Sequence, residues 1–282
     1  MMVERPFDLF GPTAPEIPLV LDSPHSGTDY PADFGYSCDF AALRQAEDTH
    51  VDALFAHAPA LGAWLLAARF PRAYIDCNRD PTDIDPDMLD GVWPGRLAPG
   101  EKTRLGLSLI RKKATGGVTI YARKLPVAEV RCRIETYYLP YHTELQRALD
   151  GVHARFGVAW HIDCHSMASR GNSETTPDGP ALRPDFVVSD RDGRTCDPAF
   201  TATIAEFLRG RGHDARINDP YKGAELVRRH GRPEAGRHSL QIEINRALYM
   251  DEETRAPNAG YPRLKADLDA LLAHVARWIA TR

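Results

Sequence analysis

Six short apolar runs of β-type composition are separated along the chain by segments of helical periodicity, and that alternation leaves few architectures open. The runs are Leu19-Val20-Leu21, Ala63-Trp64-Leu65-Leu66-Ala67, Ala73-Tyr74-Ile75-Asp76, Ala159-Trp160-His161-Ile162-Asp163, Phe186-Val187-Val188 and Ser239-Leu240-Gln241-Ile242-Glu243-Ile244. Several are nearly continuous in apolar side chains, as strands covered on both faces are. Strands alternating with helices predict an α/β chain with a mixed, mostly parallel sheet flanked by helices. No internal repeat and no Ser/Gly linker divides the 282 residues, so 1–282 are expected to form a single domain.

Among the helices, Leu264, Leu268, Leu271, Leu272, Val275 and Ile279 share one face of the C-terminal segment. Phe200, Ile204 and Leu208 do the same behind Asp197-Pro198, a helix-start pair. A longer helical pattern runs from about Val127 to Phe156, and Pro140 is expected to kink or break it. Residues 80–117 follow neither period; they are rich in Asp, Pro and Gly and contain the basic triplet Arg111-Lys112-Lys113, read as a solvated loop. So long a loop is commonly either disordered or functional, for instance as a cover over an active site.

Composition removes several classes of function. Lys+Arg number 35 against 39 Asp+Glu, a net charge of −4, which is too balanced for a nucleic-acid binder working through a basic field. No apolar run approaches the roughly 20 residues that span a bilayer. The first residues lack a basic-then-apolar signal pattern, so a cytoplasmic chain that engages no membrane is expected. Cys38, Cys77, Cys132, Cys164 and Cys196 are odd in number and include no CxxC pair, which predicts neither a disulfide framework nor a cysteine zinc site.

Chemistry-bearing side chains gather where apolar runs end. Asp22-Ser23-Pro24-His25-Ser26-Gly27 follows the first run, His161-Ile162-Asp163-Cys164-His165-Ser166 closes another, and Glu243 interrupts Gln241-Ile242-Glu243-Ile244-Asn245-Arg246. In open α/β sheets the carboxyl ends of parallel strands line the ligand crevice, which brings such residues together. Catalytic zinc takes about three protein ligands and keeps a position open. His25 and His165 are the leading ligands, with a carboxylate from Glu47-Asp48 or Asp29 as the third. The plainer alternative is that both histidines are hydrogen-bonded turn residues. Glu243 is either a general base facing the crevice or a strand carboxylate paired with Arg246. Asn78-Arg79 offers a planar fork and a neutral donor for a carboxylate, or else a surface ion pair with Asp80 or Asp83. Tyr137-Tyr138-Leu139-Pro140-Tyr141-His142 reads as helix packing.

Taken together, these stretches resemble the N-formylglutamate amidohydrolase family. The matching text is Ser23-Pro24-His25-Ser26-Gly27, Glu47-Asp48-Thr49-His50-Val51-Asp52, Tyr74-Ile75-Asp76-Cys77-Asn78-Arg79, Tyr138-Leu139-Pro140-Tyr141-His142, Asp163-Cys164-His165-Ser166, Asn218-Asp219-Pro220-Tyr221-Lys222-Gly223 and Gln241-Ile242-Glu243-Ile244-Asn245-Arg246. They occur in the right order over roughly residues 15–275. The resemblance implies a phosphorylase/hydrolase-like α/β fold shared with zinc carboxypeptidases, and one zinc per chain held by His25, Asp48 and His165. Thr28 stands where those peptidases carry a second glutamate ligand, so Asp48 in the acidic segment is the implied replacement. Glu243 is the implied catalytic base, passing a water proton to the leaving amine, and Asn78 with Arg79 is the implied substrate-carboxylate site. The implied substrate is a small anionic N-acyl amino acid, N-formyl-L-glutamate in the first instance, cleaved to formate and glutamate as in one route of histidine breakdown. Another deacylase or small carboxypeptidase, and a metal-free binding protein on the same fold, are the alternatives.

Overall fold

The computed structural model describes residues 5–171 and 181–282. Seven strands form its central sheet: β1 (Phe7–Phe10), β2 (Leu19–Ser23), β3 (Trp64–Ala68), β4 (Ala159–Met167), β5 (Phe186–Ser189), β6 (Ala215–Ile217) and β7 (Arg237–Asn245). Their spatial order is β1-β3-β2-β4-β7-β5-β6. β2 pairs in parallel with β3 and β4, β4 with β7, and β5 with β6, whereas β1 against β3 and β5 against β7 are antiparallel. This is the mixed, mostly parallel sheet with flanking helices that the alternation predicts.

Parallel neighbours need crossovers that return over a face of the sheet, so both faces acquire helices. One face packs Leu21, Ile162, Leu240 and Ile242 against the helices Pro198–Gly210 and Tyr261–Ile279 through Phe200, Ile204, Leu268 and Leu271. The other packs Val20 and Leu66 against Tyr141, Leu145 and Leu149 of the helix Leu139–Phe156. Strands alternate their faces, and that places chemistry opposite the first core. Trp160, Ile162 and Cys164 of β4 and Leu240, Ile242 and Ile244 of β7 enter that core. His161, Asp163, His165, Ser239, Gln241 and Glu243 therefore point the other way, paired His161 with Ser239, Asp163 with Gln241 and His165 with Glu243.

Three local readings change. Ala73-Tyr74-Ile75-Asp76 is not a strand but a buried turn: Tyr74 N–H bonds to Pro71 O at 2.9 Å and Asp76 N–H to Leu109 O at 2.9 Å. Its apolar side chains fill the second core instead of a ladder. The edge strands β1 and β6 carry too few residues for a legible period. The pattern expected over Val127–Phe156 forms the helix Val127–Arg133, a π-helical turn Ile134–Tyr138 and the helix Leu139–Phe156. The wider turn lies directly before Pro140, whose ring nitrogen has no hydrogen to donate. Among the described residues, no helix is long and apolar enough to cross a membrane.

Asp197 caps Pro198–Gly210 as expected, its side chain accepting from Ala199 N–H at 2.8 Å. Asp197→Ala should cost about 1 kcal/mol, read as a lower denaturant midpoint at unchanged slope. An unmoved midpoint would show that the cap contributes nothing.

Candidate active site

β2 ends at Ser23 and the chain turns immediately, which carries a fully buried His25 past the strand end. The carbonyl of His25 accepts from Asp48 N–H at 2.9 Å, and this link draws the acidic segment alongside. His165 arrives from β4. The three side chains converge: His25 Nδ1 lies 3.1 Å from His165 Nδ1 and 3.4 Å from Asp48 Oδ2, and His165 Nδ1 lies 3.0 Å from the same oxygen. Of the three carboxylates considered from sequence, Asp48 is the one that reaches the cluster. Asp29 is 60% exposed and pairs with Arg69, and Glu47 is bound by Tyr30, Arg44 and Thr49.

Each imidazole is backed by a second carboxylate. His25 Nε2 lies 2.7 Å from Asp76 Oδ1, and His165 Nε2 forms a 2.7 Å ion pair with Asp163 Oδ1. At His25 the carboxylate fixes the ring and keeps the proton on the far nitrogen, turning the Nδ1 lone pair inward; His165 Nε2, with Asn78 Nδ2 at 3.0 Å beside Asp163, leaves its Nδ1 facing the same point. Two such lone pairs and a carboxylate oxygen repel one another unless a cation or a proton sits among them. Two imidazoles and a carboxylate are a zinc donor set, and donors about 2.0–2.2 Å from a tetrahedral ion stand roughly 3.3–3.6 Å apart, close to the observed triangle. The residues fit a metal.

The local field agrees. Burial disfavours a charged His165, yet Asp163 and Asp48 overcome it and push the imidazole well above its usual value. Burial also acts against an ionised Asp48, but bonds from His165 and His25, with Arg72 and Arg246, hold it well below the ordinary carboxylate range. Arg246 donates to Asp48 Oδ1 at 2.8 Å, to Ser166 Oγ at 3.0 Å and to Gln45 O at 3.0 Å, leaving Oδ2 to the histidines. Arg246 thus belongs to Asp48, not to Glu243 as the plainer sequence reading had it.

Glu243 stands across the ladder from His165 and accepts from Gln241 Nε2 at 2.8 Å. Burial pushes its carboxyl up; His165 and Arg72 pull against this, Asp48 and Asp163 add to it, and it settles at about 7. A cleft of about 540 Å³ opens over His25, His165 and Glu243 and is walled by Arg72, Arg79, Arg111 and Lys102, with Tyr221 and Lys222 of the 218–223 segment.

One sequence expectation about this wall needs correction. Arg111 is not a solvated loop residue; it is 7% exposed and faces the cleft. Asn78 borders the cleft, but its amide is already engaged. Its Nδ2 donates to Asp163 Oδ2 at 3.1 Å, and its Oδ1 accepts from Leu226 N–H at 2.9 Å. Arg79 gives Nε to Leu107 O at 2.9 Å and Nη1 to Asn78 O at 2.7 Å, which fixes the guanidinium and leaves Nη2 over. Asp76 and Asp163 lay within the motifs, yet nothing in spacing marked them as backing the histidines. No signal pointed to Arg72, which joins Asp76 at 2.9 Å. The tyrosines expected to pack do so and also bond: Tyr138 to Arg79 O at 2.9 Å and Tyr141 to Asp22 Oδ2 at 2.7 Å.

The family model for N-formylglutamate amidohydrolase matches residues 17–250. An N-formylglutamate deformylase of Pseudomonas aeruginosa is 32% identical over 245 residues, 84% of each chain. One from Pseudomonas putida is 32% identical over 275 residues, 91% of this chain and 93% of its own. Among solved structures, N-formylglutamate amidohydrolase from Ralstonia eutropha JMP134 superposes with a TM-score of 0.95 at 49% identity, covering 99% of both chains. A family match that spans every strand of the sheet except the edge strand β1, together with relatives similar over most of their length, allows one conclusion: the chain belongs to the N-formylglutamate amidohydrolase family.

Proposed function

We propose that this chain is a zinc-dependent hydrolase that cleaves the amide of N-formyl-L-glutamate to formate and glutamate, with residues 1–282 as one catalytic domain and one zinc held by His25, Asp48 and His165. The observation that carries this reading is the triangle of two imidazole nitrogens and a carboxylate oxygen, no side longer than 3.4 Å, beside Glu243 under a cationic cleft. Relatives named for N-formylglutamate support the choice of substrate.

When bound, zinc would lower the pKa of a water and polarise the formyl oxygen. The remaining work falls to side chains. Glu243 takes the proton of the attacking water and returns it to the departing amine, and a carboxyl near 7 can do both at neutral pH. Arg79, already fixed by two backbone carbonyls, offers Nη2 to a substrate carboxylate. Asn78 acts as a positioning residue for Asp163, and Asp76 and Asp163 orient the two imidazoles.

Metal analysis and formate release from N-formylglutamate, with N-acetylglutamate and N-formylaspartate as comparison substrates, test the proposal. One zinc per chain and fastest turnover of N-formylglutamate are expected. Faster turnover of another amide would make the chain a different deacylase, and no turnover after zinc addition would make it a binding protein. Asp76→Asn, which frees the His25 ring, should weaken zinc about ten- to a hundredfold in competition with a chromophoric chelator. Unchanged affinity would remove Asp76 from the metal's support.

A further inference from the structure

Residues 80–117 close one side of the cleft and deliver two cations to it. Acids in this stretch hold its backbone and its outer lysine. Asp83 Oδ1 accepts from Gly100 N–H at 2.8 Å and from the Thr103 hydroxyl, and Asp85 pairs with Lys112 at 3.1 Å. Lys102 sits between the two anchored residues, and Arg111 precedes the paired lysine. The Lys102 carbonyl accepts from Leu107 N–H at 2.8 Å, but among the described residues its ammonium has no hydrogen-bond or ion-pair partner. Arg111 is 7% exposed, its Nε has no partner, and Nη2 reaches Asp76 Oδ2 only at 3.4 Å. Asp76 cannot offset these charges, since His25 and Arg72 already share it. Burial, with Arg79 next and Arg111 adding to it, lowers the Lys102 ammonium although Glu101 opposes the shift. A buried guanidinium short of acceptors and of a carboxylate of its own is costly, and an anion in the cleft beside it offsets that cost.

We propose that Lys102 and Arg111 form a second anion subsite for the substrate carboxylate that Arg79 does not hold, so that this loop selects N-acyl amino acids with two carboxylates. Arg79, Lys102 and Arg111 stand on this wall with Glu101 as the acid of the loop that also lines it, so a single substrate carboxylate on Arg79 would leave the Lys102–Arg111 pair without an anion of its own. The inference rests on the hydrolase reading above.

Steady-state kinetics of the zinc-loaded protein on N-formylglutamate and its two monoamides, N-formylglutamine and N-formylisoglutamine, test it. Lys102→Met should lower kcat/KM for the diacid roughly ten- to a hundredfold, mainly through KM. It should also bring the preference for the diacid over one monoamide close to one, while Arg79→Gln does so for the other monoamide. Arg111→Gln should behave as Lys102→Met does; if its circular dichroism shows misfolding, Lys102→Met decides alone. Loss of preference against the same monoamide in both the Lys102 and Arg79 variants would overturn the proposal. So would an equal fall on all three substrates, or a change under twofold for Lys102→Met. If the unaltered, zinc-loaded protein hydrolyses none of the three, the hydrolase reading fails and takes the subsite with it. If it hydrolyses them and the variants do not discriminate, only the subsite fails.

Discussion

Glu243→Gln is expected to lower kcat for N-formylglutamate by about a hundred- to ten-thousandfold while the protein keeps its fold and its metal. The substitution preserves the shape of the side chain and its acceptance from Gln241 Nε2, but an amide cannot take a proton from water. Ile242 and Ile244 enter the helix-covered core on the opposite face, so packing is untouched. Nor does Glu243 hold Arg246 in place, since that arginine is bound to Asp48, Ser166 and Gln45. A structural part for Glu243 therefore predicts a stability loss with little kinetic effect, the reverse of the expectation here. Near-normal kcat with zinc retained would mean the base lies elsewhere, and loss of zinc would recast Glu243 as a ligand.

His165→Ala should abolish stoichiometric zinc, and hydrolysis with it. It removes one corner of the triangle and leaves Asp48 and Asp163 without the imidazole between them. Breaking a buried pair on one side costs about 3–5 kcal/mol, so stability must be followed alongside metal content. Asp48→Asn guards against misreading an unfolded variant: it keeps the volume and should also lose the metal. Asp29→Asn, at an exposed residue paired with Arg69 away from the cluster, should keep a full equivalent. A His165→Ala protein that still holds one zinc after dialysis against a mild chelator would rule out this ligand set.

These residues also show what could be read from the chain. The period of two in Trp160-His161-Ile162-Asp163-Cys164-His165 and Leu240-Gln241-Ile242-Glu243-Ile244 encodes a core face and a polar face before any contact is known. That alternation made Glu243 legible as the neighbour of a site, and His165 was legible by its place at the end of an apolar run. Asp48 was not separable from Glu47 by any local rule, because adjacent loop residues have no fixed facing. Arg246 misled for a related reason: a polar side chain at a strand end can take any of several partners, and sequence does not rank them.

By itself, then, the sequence determined the alternation that makes a parallel sheet, the faces of β4 and β7, and the ordered motifs of the family. Only the tertiary structure decided that the 71–79 segment is a turn bonded to Leu109, that Asp48 rather than Asp29 meets His25 and His165, and that Lys102 and Arg111 turn inward. Hydrophobic periodicity is a local property, legible over a few residues. The pairing of side chains 117 or 140 positions apart depends on the path of every loop between them and on which buried charges find a partner there.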